Sequence, residues 1–419
     1  MRILIVSQYF WPENFRVNDI STGLVQKGHQ VTVLTGIPNY PDGKFYSGYN
    51  FFKNTRQNYC GAQVIRVPLI PRGKGGNFNL VLNYLSFVIF GSLLVPFVCS
   101  QKYDVIFVYG ISPILMAIPS IVLRKIRKVQ LVLYVLDLWP ESISAVGAIK
   151  SSLFLSVVKK IVYFIYKRCD QILVSSPGFV GRIKEMGIDE SKINYWPQWA
   201  EDNYKIVAVN ENSAESREMF SGFRIMFAGN IGAAQGFKTI IEAAEKLKKF
   251  SDIHWIIIGD GRMKPWVEEQ VRLRKLENTV HLLGKRPVET MSGYFALADV
   301  LLVSLKRDPI FALTLPAKIQ SYMACGRPIL ACLDGDGAKV IQESGAGFSC
   351  PADDYVALSE CVLKMFNLTG AERKEMGLRG RAYFEKHFTR DVLLAQFEKW
   401  IGKGCRKNCE SAREDVRQG

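Results

Sequence analysis

Histidine is scarce in this chain, and paired cysteines are missing. Its four histidines, His29, His254, His281 and His387, are scattered through 419 residues, and none stands at ligand spacing from a cysteine pair. That argues against a zinc site and leaves no metal expected. The nine cysteines include no Cys-x-x-Cys and are odd in number, which suits a reducing compartment. Negative charge is short as well: 54 basic residues against 39 acidic ones give a formal charge of +15, so an anionic partner is expected, whether nucleic acid, phosphates or a lipid surface. No nucleic-acid recognition module is visible, and the surplus cations stand beside apolar segments, so nucleic acid is not the expected partner. Met1 to Phe10 carries one basic residue and a short apolar run, and reads as a first strand rather than a signal peptide.

What is present is a regular alternation. A hydrophobic content of 48% excludes general disorder, and the length suits two domains. Apolar runs of strand length at Ile3–Val6, Val31–Leu34, Val64–Leu69, Val105–Tyr109, Leu131–Leu136 and Ile172–Ser175 alternate with longer amphipathic segments. The pattern lapses over a polar, acidic stretch, Glu201 to Gly222, and resumes with Arg224–Ala228, Trp255–Ile258, Val280–Leu283, Val300–Val303 and Ile329–Ala331. Strands alternating with helices predict parallel sheets covered on both faces. The expected fold is therefore α/β, two doubly wound Rossmann-like domains facing across a cleft. Residues 1–200 form the first, 201–222 a linker and 223–385 the second. A C-terminal helix at 386–401 can pack back on the first domain, and a charged tail follows at 402–419.

Phe78 to Cys99 is apolar and long enough to be weighed as a membrane span. The strands on either side should share one sheet, which argues against spanning and leaves two readings, a buried crossover helix or a helix partly exposed to lipid. Ile111–Lys128 and Leu153–Arg168, apolar runs edged with Arg124, Lys125, Arg127, Lys128, Lys159, Lys160, Lys167 and Arg168, favour the lipid reading. Basic helix ends that complement their own dipoles are the bland alternative. Polar substitutions at Phe87 and Phe90 should separate lipid contact from core packing.

Three stretches carry chemistry. In Phe227-Ala-Gly-Asn-Ile-Gly-Ala-Ala-Gln-Gly236, glycines 229, 232 and 236 between a strand and a helix let backbone amides approach a phosphate, although such turns also serve packing. Gly259-Asp-Gly261 sits at another strand end, but Lys264 stands where the dinucleotide fingerprint requires glycine. In Leu313-Thr-Leu-Pro-Ala-Lys-Ile-Gln-Ser-Tyr-Met-Ala-Cys-Gly-Arg-Pro328, Pro316 opens a helix that Gly326 and Pro328 close. Lys318 in its first turn opposes the dipole preference, which makes sense if a diphosphate sits over it; a solvated lysine is the alternative. Asp334-Gly-Asp336 resembles a metal-binding pair but reads as an ordinary turn.

These stretches in this order, with Ala298-Asp299 and Glu343-Ser-Gly-Ala-Gly-Phe348, resemble the C-terminal half of GT-B glycosyltransferases of family 4. Tyr9-Phe-Trp-Pro-Glu13, Gly28-His-Gln-Val-Thr-Val33, Asn39-Tyr-Pro-Asp-Gly43 and Asp137-Leu-Trp-Pro-Glu141 resemble the branch found in O-antigen and exopolysaccharide clusters, L-fucosamine transferases among them. The resemblance implies a retaining, metal-independent transferase with a UDP-sugar as co-substrate, no other cofactor, and a polyprenyl-diphosphate-linked acceptor. It also implies a peripheral place on the cytoplasmic face of a bacterial plasma membrane, with an N-acetylated deoxyhexosamine such as L-FucNAc as the sugar. Carried over by position, the usual phosphate-binding Arg and Lys become Asn230 and Gln235, and the usual glutamate pair becomes Leu313 and Ser321. The remaining donor contacts are Gly229, Gly236, Gly261, the backbone amides near Leu315, Pro316 and Ala317 with Lys318, and Lys285 and Arg286 near the base. Asp137 replaces a catalytic-side histidine.

Chemically, the amides and Lys318 would stabilise the departing diphosphate. Asp137 and Glu141 would orient or deprotonate the acceptor hydroxyl; Glu141 could instead cap the next helix. Arg16, read as lying in the loop after the first strand, could reach the donor. A nucleotide-sugar 2-epimerase and a non-catalytic nucleotide-sugar-binding subunit remain as rival readings, and oligomeric state is not indicated.

Overall fold

The computed structural model describes residues 1–73, 77–142 and 151–402. It divides into two compact units, one of 1–175, 180–196 and the chain from Leu394, the other of 176–179 and 197–393.

The first unit is built on β1 (Arg2–Val6), β2 (Gln30–Gly36), β3 (Arg56–Tyr59), β4 (Ala62–Val67), β5 (Val105–Gly110), β6 (Gln130–Val135), β7 (Gln171–Val174) and β8 (Ile193–Tyr195). They lie in the order β3-β4-β2-β1-β5-β6-β7-β8, parallel except for β3, which pairs antiparallel with β4. The central strands are apolar along their length because both faces are covered: β5 and β6 are buried at every residue. Ile3 sits opposite Val31 on one side and Val105 on the other, so the sequence order reverses at β1. The segments leaving β1, β5 and β6 consequently gather at one end of the sheet, the position where such sheets hold ligands.

The second unit carries β9 (Phe223–Ala228), β10 (Ile253–Ile258), β11 (Val280–Gly284), β12 (Val300–Ser304), β13 (Ile329–Cys332) and β14 (Gly347–Cys350), all parallel, in the order β11-β10-β9-β12-β13-β14. Its reversal falls between β9 and β12, and Lys306 N–H donates to the Ala234 carbonyl at 2.9 Å to tie the two following loops together.

The alternation of apolar runs located eleven of these strands; β3, β8 and β14 were not anticipated, being short and mixed in polarity. The stretch 201–222 is not bare chain. It holds a short helix, Ala214–Arg217, and Glu218 accepts from Arg286 at 2.7 Å and from Tyr294 at 2.8 Å. The chain breaks at Phe388–Thr389, between helix Gly370–His387 and a last helix at 390–402, later than the start at 386 expected from sequence. In the first unit Phe397 of that last helix packs on Phe107 and Trp196, with ring centroids 4.9 and 5.3 Å away. Of the tail expected at 402–419, only Gly402 lies within the described residues.

Candidate functional site

The turn after β9 and the helix Ala317–Ala324 meet around one ammonium group. Lys318 Nζ lies 3.7 Å from the centroid of the Phe227 ring and donates to Gln235 Oε1 at 2.8 Å. Gly229, at φ +137°, makes room for it: a Cβ there would fall 2.8 Å from Lys318 Cε and 3.1 Å from Nζ. Tyr322, one turn on, receives the Ala228 N–H on its hydroxyl at 3.1 Å, which fixes the helix against the end of β9. Burial pushes the Lys318 amine down to about 7, and among the described residues no carboxylate pairs with it. A desolvated cation without an anion is costly on its own and suits a site whose anion arrives as ligand. Ala317 and Lys318 open the helix, where backbone N–H groups lack intrahelical partners.

The other donor-side candidates distribute more unevenly. Pro316 is the residue before the helix rather than its first, and Leu315 is buried. Gly236, at φ +62°, leads into helix Phe237–Lys246. Asn230 is exposed and packs its amide beside Gly232 and Gly261. Gly261 needs no ligand to explain it, since a Cβ there would sit 2.4 Å from the Ile231 carbonyl oxygen. Ser321 is buried and donates to the Ala317 carbonyl at 3.3 Å, so its hydroxyl is engaged within its own helix. Lys285 is exposed, whereas Arg286 is held by Glu218 and by the Tyr294 hydroxyl at 2.9 Å. The carboxylates of Asp334 and Asp336 have separate partners: Asp334 accepts from Ala352 N–H at 3.1 Å, and Asp336 accepts from Ser176 at 2.8 Å and from Gly178 N–H at 2.5 Å. No group of three or more acidic, histidine or cysteine side chains suited to a metal occurs among the described residues.

In the first unit, the loops after β5 and β6 build a second polar centre. Trp139 Nε1 donates to Ser112 Oγ at 2.9 Å, and Ser112 Oγ donates to Asp137 Oδ2 at 2.9 Å. Burial raises the Asp137 carboxyl, opposed by its bonds to Ser112. A carboxylate shielded from water yet held by a hydroxyl is a stronger base than a solvated one. Glu141 lies 3.4 Å from Arg182 in an ion pair and is itself helical together with Ser142, rather than standing ahead of a helix as its cap; residues 143–150 that follow lie outside the described residues. Arg16 is not in a loop as read from sequence but is the first residue of helix Arg16–Gln26, with its charge acting on Tyr134.

Glu13 and Asn39, which in the sequence are only letters of two motifs, take structural roles here. Glu13 is fully buried, and its Oε1 accepts from the Asn39 and Tyr40 N–H groups at 2.8 and 2.7 Å. Asn39 Oδ1 accepts from the Arg72 N–H at 3.1 Å, and the Arg72 guanidinium lies over the Tyr40 ring at 5.0 Å. Burial pushes Glu13 up to about 7 against the pull of those amides.

Two family models match the chain, "Glycosyl transferase 4-like domain" over residues 14–199 and "Glycosyl transferases group 1" over 222–367. Among similar proteins, one from Pseudomonas aeruginosa named as glycosyltransferase WbjE is 26% identical over 71% of this chain and 74% of its own. One from Escherichia coli K12 named as colanic acid biosynthesis glycosyl transferase WcaI is 23% identical over 78% of this chain and 82% of its own. Among solved structures, Anabaena HepE in complex with UDP superposes with a TM-score of 0.70 at 14% identity, covering 96% of this chain and all of that one, a likeness of fold.

Proposed function

We propose, because this chain belongs to the family 4 glycosyltransferases of GT-B fold, that it moves a sugar from a UDP-sugar onto a polyprenyl-diphosphate-linked saccharide during synthesis of a bacterial surface polysaccharide. The observation that carries the donor half is the Lys318 ammonium, which lies under Gly229 against Phe227 and Gln235 with no acid beside it among the described residues. UDP supports that choice of nucleotide, since HepE was solved with UDP bound. Relatives named for polysaccharide synthesis, WcaI for colanic acid and AmsK of Erwinia amylovora for amylovoran, support the acceptor class.

In the reaction the bond between the anomeric carbon and the β-phosphate oxygen breaks, and its electron pair stays with UDP. Lys318 and the opening amides of helix Ala317–Ala324 stabilise that charge as it forms. The acceptor hydroxyl bonds to the anomeric carbon and its proton passes to a base, the role proposed for Asp137. The configuration at the anomeric carbon is retained, no metal takes part, and an N-acetylated deoxyhexosamine such as L-FucNAc is the sugar to try first. The reaction takes place on the cytoplasmic side of the membrane that carries the acceptor.

The test is to incubate the purified chain with a panel of UDP-sugars, with and without a synthetic prenyl-diphosphate-linked sugar. Transfer with one donor, and release of UDP only when acceptor is present, is expected. Conversion of a donor to its epimer without acceptor would sink the reading.

A further inference from the structure

Strand order places three helices on one face of the first unit. The crossovers from β4 to β5 (helix Asn77–Val98), β5 to β6 (helix Ile118–Arg127) and β6 to β7 (helix Ser152–Arg168) all advance across the sheet in one direction, while helix Arg16–Gln26 between β1 and β2 runs the other way. Right-handed connections therefore stack the three together. The middle helix touches both of its neighbours.

The inner side of Asn77–Val98 belongs to the core. Asn83, Phe87 and Val95 are fully buried, and Asn83 donates to the Ile70 carbonyl at 2.6 Å and accepts from Gln8 Nε2 at 2.7 Å. Gly91 fits against Pro119, whose Cγ would lie 2.9 Å from a Cβ at that position. The outer side is apolar from end to end: Phe78 (75% exposed), Val81, Leu85, Ile89, Leu93 (63%) and Phe97 (75%) follow at spacings of three and four and form one stripe. Helix Ser152–Arg168 adds exposed Leu153, Phe154, Val157 and Phe164. None of the three helices contains an aspartate or glutamate, and Lys125, Arg127, Lys128, Lys159 and Lys160 stand exposed along them.

A solvent-facing apolar stripe of that length exceeds what an isolated soluble surface carries, and bordering cations without acids complement anionic headgroups. We propose that this three-helix face docks on an anionic lipid bilayer, with Asn77–Val98 lying along the interface and not across it. A spanning helix is incompatible with the bonds of Asn83 to Gln8 and Ile70 and with β4 and β5 sharing a sheet. The docking gives the proposed reaction its place, since a prenyl-linked acceptor is confined to that surface, and to that extent rests on it. The sequence-based pair of test positions is corrected: Phe90 is exposed but Phe87 is core, so a polar residue at 87 would unfold the unit.

The full chain is sedimented with vesicles of phosphatidylcholine alone and of phosphatidylcholine mixed with phosphatidylglycerol. Binding to the mixed vesicles only, reversed by high salt or alkaline carbonate without detergent, is expected. Lys125→Gln with Lys159→Gln and Lys160→Gln weakens it by about tenfold or more. Phe78→Ser with Leu93→Ser and Phe97→Ser abolishes it. Both variants keep the wild-type melting temperature and keep transfer to a short-chain, water-soluble prenyl diphosphate sugar. Absent transfer with vesicle binding intact would remove the reaction and leave the docking standing. The docking is overturned if the wild type ignores anionic vesicles or if folded variants bind as well as wild type. Release only by detergent would also overturn it, as would a dimer in solution that the apolar variant dissociates, which would assign the face to a second copy of the chain.

Discussion

Replacing Lys318 with methionine should make the protein more stable and less active at once. The free energy comes from burial, which takes the amine from its ordinary 10.5 to about 7. The unfolded chain binds a proton at this site up to pH 10.5 and the folded chain only up to about 7, so stability rises with pH between those values, and the full penalty is present below pH 7. At about 1.4 kcal/mol per unit the ceiling is about 5 kcal/mol, and screening at a half-buried group leaves about 2 kcal/mol. Lys318→Met removes that penalty while keeping the stem against Phe227. Urea unfolding at pH 6.5 should show the gain, and the gain should shrink as pH approaches 10. Kinetics should show the opposite sign: losing a charge-assisted hydrogen bond to the leaving diphosphate costs about 1.5–3 kcal/mol, or roughly 10- to 150-fold in kcat. A variant that is less stable at pH 6.5 would mean that Lys318 carries no burial penalty, and one that turns over at the wild-type rate would take Lys318 out of the chemical step.

Four further outcomes concern Gly229, Asp137 and Glu13. Gly229→Ala should drive Lys318 from its place, because the new methyl meets Cε at 2.8 Å, and should lower kcat/KM at least tenfold with a stability loss of about 1–3 kcal/mol from the φ of +137°; unchanged kinetics would mean Lys318 does not act from there. Asp137→Asn keeps a partner for Ser112 but removes the base, so kcat should fall by about two to four orders of magnitude with the melting temperature nearly constant, measured by transfer to saturating acceptor. Glu13→Ala leaves the Asn39 and Tyr40 N–H groups without their acceptor and should destabilise the fold by about 2–4 kcal/mol in urea titration. Because burial raises Glu13 to about 7, the wild type should lose stability as pH rises from about 4.5 to 7 at this group, a slope that Glu13→Gln abolishes.

The sequence shows the fold where local pattern and tertiary role coincide. Strands buried on both faces, such as Val105–Gly110, are unbroken apolar runs and announce themselves. Arg56–Tyr59 and Ile193–Tyr195 lie on the two edges of their sheet, where one side is uncovered and polar residues are tolerated, so no apolar run marks them. β14 reads Gly-Phe-Ser-Cys, a strand defined by its pairing with β13 rather than by its own composition. In the site, the glycines and Lys318 stand out because each breaks a local rule, one at a strand end and the other at a helix start. The contact between Lys318 and Gln235 spans 83 positions and exists only once β9 and the helix are packed. Gly261, by contrast, looked like a ligand glycine and is accounted for by the Ile231 carbonyl beneath it. Glu13 was invisible as a structural acid because its partners are backbone amides, which leave no trace in residue identity.

Nitrogen NMR of the Lys318 side chain, titrated with pH in the absence and presence of UDP, addresses the donor cradle itself. The expected midpoint is near 7 without nucleotide, with a marked upward move when UDP binds, as the diphosphate restores the charge that burial suppresses. A midpoint at the ordinary lysine value in both states, or one near 7 that UDP leaves in place, would contradict it.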